Sequence, residues 1–160
     1  MMKLSEAIRV GSKMHPASEC GWNDVGPNGE IRTCALLAAA EGAGIFTFIG
    51  NVSMPGPNYR PPQGPDQFIR DETVGMGTKA AVPEEWNALL NTHEIPPCEC
   101  KTLRMASPVL LLVWHLHDVH RWSREAVAEW IEMLENAMEA KAIAREAQRR
   151  EIAQDLDIEP

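Results

Sequence analysis

The stretch that decides the fold is "VLLLVWHLHDVHRWSRE", residues 109–125. Its first six residues form an unbroken apolar run, and three histidines and an aspartate fall within the next six positions. A segment that is apolar on every side predicts a central, buried helix, which we place at residues 108–117. Ser123, followed by Glu125, is typical of the start of another helix. The histidines therefore lie at the junction of two predicted helices.

The helix that follows this junction carries an apolar stripe at helical spacing. The stripe consists of Val127, Trp130, Ile131, Leu134 and Met138. Residues 141–160 are rich in alanine and charge, and the apolar positions that extend the stripe there are Ile143, Ala147, Ile152 and Leu156. We therefore predict a single helical domain at residues 1–140 and a projecting C-terminal helix, or arm, at residues 141–160. A helix that projects in this way binds a partner, pairs with its own copy, or frays.

The N-terminal half predicts two more helices. The first covers residues 4–14 and ends before Pro16, because a residue that precedes proline is disfavoured in helical conformation. The second is "TCALLAAAEGAG", residues 33–44, with Thr33 as its N-cap and a glycine at its C-terminal end. Its small residues allow another element to approach closely.

The middle of the chain is less regular. "IFTFIG", residues 45–50, predicts a strand, and "VPEEWNALLNTH", residues 82–93, predicts a short helix that starts at a proline. Residues 51–82 are rich in proline and glycine and predict a long irregular loop. The expected fold class is mainly α: a small helical domain with one short strand or hairpin, a proline-rich loop and a projecting C-terminal helix.

Composition limits the possible functions. The chain has 160 residues and a formal net charge of −8, which suits one domain and disfavours binding to nucleic acid phosphates. The longest apolar run is too short to span a bilayer, and the N-terminus lacks the apolar core of a signal peptide. We therefore expect a protein without a membrane segment, located in the bacterial cytoplasm or in a virion, whose four cysteines are thiols or metal ligands.

The histidines and two upstream cysteines predict a structural zinc site. The candidate ligands are Cys98, Cys100, His115 and His120. Fourteen residues separate the Cys-x-Cys pair from His-x4-His, and zinc prefers four thiolate or imidazole ligands in a tetrahedron. A loosened helix end would let both imidazoles point at one ion. If only one cysteine binds, His117 or a water completes the site.

Two other interpretations of the histidines stay open. "HLHDVH" is similar to the His-x-His-x-Asp-His run of metallo-β-lactamase-like hydrolases, although its aspartate comes one position early and no histidine follows His120. Alternatively, the imidazoles simply occupy a helix end, where the dipole favours positive charge and Asp118 can pair with one of them. Cys34, at a predicted helix N-terminus, is either a reactive thiol or a small buried residue.

Three stretches carry a resemblance to known sequences. They are "MKLSEAIRVGSKMHP" (2–16), "TCALLAAAEGAG" (33–44) and "HLHDVHRWSREAVAEWIE" (115–132). Together they resemble a family of small, uncharacterised bacterial and bacteriophage proteins with a Cys-x-x-Cys pair before the last block. The ligands that this resemblance implies for a finger-like zinc site are Cys98, Cys100, His115 and His120. The resemblance points away from His117 as a ligand, because asparagine is usual at this position in the family. This chain differs from the family pattern in three respects: its two cysteines are one residue closer, and it has a proline-rich insert and an additional C-terminal arm.

Three classes of function follow. The acidic surface, the proline-rich loop and the arm favour a non-enzymatic phage-type or prophage-type interaction module with a structural zinc ion. It would be a virion accessory component, or an intracellular inhibitor or adaptor, that binds a protein partner or forms a homo-oligomer. The first alternative is a helix-turn-helix-like nucleic-acid-binding regulator that uses Arg121 and Arg124. The second is a metal-dependent hydrolase that uses His115, His117 and His120.

Overall fold

The computed structural model describes residues 2–18, 23–49, 52–61, 68–70, 79–90 and 113–155. It is mostly helical, which confirms the predicted fold class. The helices are α1 (Leu4–Gly11), α2 (Ala35–Gly42), α3 (Glu84–Leu90) and α4 (Arg124–Asp155), and a π-helical turn (His115–Val119) precedes α4. The strands are β1 (Asn23–Val25), β2 (Ile31–Thr33), β3 (Phe46–Ile49), β4 (Val52–Pro55), β5 (Phe68–Arg70) and β6 (Lys79–Ala81). In the described ranges no helix is both long and apolar enough to cross a membrane.

Helices α1 and α2 pack so closely that glycine is required on both. A Cβ atom on Gly11 would lie 1.7 Å from the carbonyl oxygen of Ala38, and one on Gly42 would lie 2.1 Å from that of Ala7. Neither position leaves space for a side chain, so the two backbones are in direct contact. The small residues of the predicted second helix thus allow another element to approach closely, as expected.

Both ends of α2 are closed by local hydrogen bonds. The N-cap is Cys34 and not the predicted Thr33: the Cys34 Sγ accepts the N–H of Leu37 at 3.4 Å. At the other end Gly44 takes the left-handed conformation (φ 70°), and its N–H donates to the carbonyl of Glu41. The N–H of Ile45 donates to Ala40. This is a Schellman motif, in agreement with the predicted glycine stop.

Three antiparallel hairpins flank the helices: β1 with β2, β3 with β4, and β5 with β6. The strand predicted at residues 45–50 is β3, but β4, β5 and β6 lie in the region predicted to be an irregular loop. Backbone pairing explains the difference, since a strand needs hydrogen bonds along one edge and not a continuous apolar sequence. Pro55 ends β4, where the missing N–H is tolerated.

The long helix α4 begins as predicted. Ser123 accepts the N–H of Ala126 through its hydroxyl at 3.1 Å, which is the expected N-cap. Val127, Ile131 and Leu134 are buried in a core that also contains Trp86 and Phe46. The predicted stripe of α4 therefore faces the core, with Trp130 and Met138 partly buried at its edge.

Helix α4 also caps α1. The N-terminus of α1 has no side-chain cap of its own. The buried carboxylate of Glu135 accepts the N–H of Ser5 at 3.3 Å and its hydroxyl at 2.5 Å. A carboxylate at a helix N-terminus satisfies an unpaired N–H and interacts favourably with the dipole, so a residue of α4 stabilises the first turn of α1.

Arg124 joins the N-terminal segments to the start of α4. It is 6% exposed, and its guanidinium donates to the carbonyls of His15 (2.7 Å), Pro16 and Thr33. It also donates to the Thr33 hydroxyl at 3.1 Å. Ser18 and Thr33 are themselves bridged by a backbone hydrogen bond. Arg124 thus closes the contact between the segment after α1 and strand β2.

The end of α4 leaves the core. Every residue from Glu139 to Ile152 is exposed, although the helix continues without a break to Asp155. Ile143 and Ile152 are nine residues apart, so they lie about 180° apart around an α-helix. The thin apolar stripe expected here therefore does not form one continuous seam. Parts of the predicted loop (residues 51, 62–67 and 71–78), the end of the predicted short helix (residues 91–93) and the end of the arm (residues 156–160) lie outside the described residues.

We expect Gly11→Ala to destabilise the protein by about 2–4 kcal/mol, because the added methyl group would overlap the backbone of α2. Urea denaturation measures the loss in the free energy of unfolding. Glu6→Ala, on the exposed side of α1, is the control and should change it by less than about 0.5 kcal/mol. Equal effects of the two substitutions would contradict the close contact between α1 and α2.

We expect Arg124→Lys to lower the free energy of unfolding by about 2–4 kcal/mol, because one ammonium group cannot donate to carbonyls that lie on different segments. Arg150→Lys is the matched control, because Arg150 is exposed and, among the contacts described, pairs only with Glu146 of its own helix. This substitution should lower the free energy of unfolding by less than about 0.5 kcal/mol. Thermal and urea denaturation of the two variants give the comparison. An unchanged midpoint for Arg124→Lys would show that this contact does not hold the fold together.

Candidate functional site

The candidate site is the π-helical turn that contains the three histidines. The N–H of His120 donates to the carbonyl of His115 at 3.2 Å, which is the i to i+5 bond of a π-helix, and the N–H of Trp122 donates to Leu116 at 3.0 Å. Arg121 then takes a left-handed conformation (φ 58°), which costs a non-glycine residue about 1–2 kcal/mol. The helix therefore ends in a widened turn followed by a strained residue.

The widened turn brings two of the imidazoles together. The Nε2 atoms of His115 and His120 are 3.0 Å apart, and their rings meet edge to face. Two nitrogens on one tetrahedral zinc ion, each at 2.0–2.1 Å, are about 3.3–3.4 Å apart. The side chains thus already lie close to the separation that a shared ion requires.

The environment of His115 favours its neutral form. The side chain is 2% exposed, and burial, together with the nearby His120, lowers the pKa of the His115 imidazole. A neutral imidazole is the form that binds metal ions, because the lone pair is then free to coordinate. Metal binding at His115 therefore does not require this imidazole to lose a proton at neutral pH.

His117 has a different environment. Its Nδ1 lies 2.8 Å from the carbonyl oxygen of Trp122, and since a carbonyl can only accept, Nδ1 is the donor. Its Nε2 is buried and has no hydrogen-bond partner in the described part of the chain. The backbone of the turn thus holds the His117 ring, whereas His115 and His120 contact each other.

Two of the four predicted zinc ligands cannot be placed. Cys98 and Cys100 lie outside the described residues, as do residues 108–112 of the predicted buried helix. Within the described residues no group of three or more histidine, cysteine, aspartate or glutamate side chains could hold a metal ion. The structure therefore brings together His115 and His120, and the thiolate half of the site stays a prediction.

Cys34 does not have the properties of a nucleophile. It is fully buried as the N-cap of α2, and burial raises the pKa of its thiol to about 12, with the negative charge of Asp118 contributing. The hydrogen bond from Leu37 opposes this rise but does not offset it. The thiol therefore stays protonated, and the sequence hypothesis of a small buried cysteine fits better than a reactive one.

A buried polar pair was missed by sequence reasoning. The Nε2 of His15 lies 3.2 Å from the Oε1 of Glu41, and Glu41 is only 9% exposed. The sequence contains a signal for this pair, since Glu41 is the one charged residue in the otherwise apolar "ALLAAAEGAG", residues 35–44. A carboxylate in a helix buried on nearly every side must find a partner.

Comparisons with protein-family models, with curated proteins and with solved structures find no match to this chain. The resemblance to small bacterial and phage proteins therefore remains a prediction. What this site can do follows from its own side chains: a close-set pair of imidazoles can coordinate a metal ion or share a proton.

We expect Cys34 to resist alkylation by iodoacetamide at pH 8 in the folded protein, because only a minute fraction of a thiol with a pKa of about 12 is ionised there. Peptide mapping by mass spectrometry, with and without denaturant, distinguishes Cys34 from the other cysteines. Full labelling in denaturant shows that the peptide is detectable. Rapid labelling of Cys34 without denaturant would contradict its burial and restore a reactive thiol.

Proposed function

We propose that the chain is a non-enzymatic protein-interaction module of phage or prophage type, stabilised by a structural zinc ion. The observation that carries this proposal is the arm of α4, where a helix continues for more than a dozen residues with every side chain exposed. Isolated helices of this length are marginal in water, and most helical stability in proteins comes from packing. A helix that leaves its own core gains stability when it packs on another surface.

The arm carries apolar side chains that a partner would cover. Ile143 is 69% exposed and Ile152 is 50% exposed. Because they lie on opposite sides of the helix, a partner that covers both must surround the arm or contact it from two directions. Insertion of the arm between two neighbouring subunits fits this arrangement better than a two-helix coiled coil.

The proposed zinc site has a structural role. His115 and His120 supply two ligands from the turn that connects the buried helix end to α4, and Cys98 and Cys100 supply the other two. Zinc at this point would fix the entry of α4 into the fold, and structural zinc contributes directly to folding free energy. The function needs no substrate at the metal.

Two biological settings are compatible with this proposal: a virion accessory component, or an intracellular inhibitor or adaptor in a bacterial host. The net charge of −8 suits an inhibitor that occupies a basic surface, and a projecting arm suits a subunit that joins its neighbours. Light scattering during size-exclusion chromatography separates the two. A discrete monomer or dimer favours the inhibitor, and ring-like assemblies favour the virion component.

One observation weakens the nucleic-acid alternative. Arg124, which would lie at the start of a recognition helix, is buried and donates to backbone carbonyls, so it is not available to phosphates. The exposed side of the first turns of α4 carries Glu125 and Glu129, which repel a phosphate backbone. The arrangement therefore favours a protein partner.

We expect His120→Ala to lower both the zinc content and the melting temperature, since losing one ligand of a structural site commonly costs several kcal/mol. Metal analysis of the purified protein and thermal denaturation measure the two effects. His117→Asn is the matched control, because it changes a neighbouring imidazole that is outside the proposed ligand set. Zinc-free parent protein, or equal zinc loss in both variants, would contradict the proposed ligands.

We expect Ile143→Glu to abolish binding of the arm to its partner or its own copy, because it places a charge in the interface. Met133→Glu is the control: Met133 is also 69% exposed and lies on α4, but beside the domain core and not on the arm. Affinity purification from the native cells and light scattering measure partner binding and self-association. Assembly that is unaffected by Ile143→Glu would contradict an arm-mediated function.

A further inference from the structure

A groove lies beside the end of α2, on a part of the molecule that the zinc site and the arm do not use. It has a volume of about 770 Å³ and reaches from Met14, after α1, to Glu84 and Glu85 at the start of α3. The C-terminal end of α2 and Asn58 form part of its wall.

One wall of the groove carries a buried carboxylate with an unsatisfied oxygen. Glu41 is 9% exposed, and its Oε1 pairs with His15. Its Oε2 has no hydrogen-bond partner in the described part of the chain. A buried carboxylate oxygen without a donor costs free energy. Oε2 is enclosed by its neighbours, so a ligand that donates to it must first displace an adjoining side chain, and it would then recover that cost.

The charges around the groove favour a cation. Glu84 and Glu85 are exposed and line it, and the C-terminus of α2 adds the negative end of a helix dipole. Arg60 is the one cationic side chain among the described residues that line it. The groove therefore has an excess of negative charge.

The shape and chemistry point to an organic cation rather than to a metal ion. A calcium or magnesium site usually includes several carboxylates, and no group of three or more acidic, histidine or cysteine side chains in the described residues could hold a metal ion. Met2, Met14 and Pro57 line the groove beside Glu41, and they can pack against an alkyl stem. Met14 is half-exposed, and a methionine side chain adapts readily when a ligand enters.

We propose that this groove binds an arginine side chain on an extended segment of a partner protein, with the guanidinium donating to Glu41. Arginine fits because its several N–H donors can satisfy Oε2 and a neighbouring carbonyl at once, while its stem covers the methionines. The proposal deepens the interaction function and rests on it, since the segment belongs to the partner.

The test uses the full-length protein and a blocked tripeptide, N-acetyl-Gly-Arg-Gly-amide, in calorimetric titrations at low salt. The same peptide with citrulline, which keeps the shape and lacks the charge, is the ligand control. We expect the citrulline peptide to bind at least about tenfold more weakly, and Glu41→Gln to weaken the arginine peptide to the same extent. Glu129→Gln removes an equal charge from an exposed position on α4 and should leave binding unchanged.

Equal binding of the two peptides, no measurable binding of the arginine peptide, or an equal loss with Glu129→Gln would overturn the proposal. If Glu41→Gln does not fold, the double variant Glu84→Gln with Glu85→Gln replaces it, since both side chains are exposed. A drop of about threefold in affinity for the arginine peptide supports the proposed groove site, and an unchanged affinity overturns it. The readout is independent of zinc content and of Ile143→Glu. If only the peptide titrations fail, the proposed arginine site in the groove is wrong. If only the arm and zinc tests fail, the proposed interaction function is wrong.

Discussion

A buried guanidinium holds the two halves of this protein together. Arg124 reaches the carbonyls of His15, Pro16 and Thr33, which belong to segments more than ninety residues away in sequence. Taking that charge out of water is costly, and burial lowers the pKa of the guanidinium, but hydrogen bonds to several carbonyls offset the cost. Because α4 starts at this residue, the same contact fixes where the histidine turn meets the N-terminal helices.

The helices could be predicted because their signals are local. Ser123 caps α4 through its own hydroxyl, and Gly44 ends α2 because only glycine takes a left-handed conformation without cost. The N-cap of α2 was misplaced at Thr33 because the hydroxyl of that residue serves Arg124, a contact that no local pattern reveals. The strands of the proline-rich region were not predicted for a related reason: they form through backbone hydrogen bonds to a partner strand, and no local pattern reveals that partner.

The candidate site was predictable in part. The His-x4-His spacing and the expectation of a loosened helix end agree with the contact between His115 and His120, whereas the separate hydrogen bond of His117 depends on the carbonyl of Trp122. The Glu41–His15 pair was not predicted, because its members belong to different elements. Through His15, this pair is connected to Arg124, so the groove and the start of α4 belong to one polar network.

The cap that Glu135 places on α1 has a consequence for biosynthesis. Ser5 leaves the ribosome 130 residues before its partner, a delay on the order of ten seconds at ordinary elongation rates. During that time α1 can dock on α2 through their glycines, but its first turn has no acceptor and its side toward α4 is uncovered. The cap on the first turn of α1 can therefore form only after this part of α4 has left the ribosome.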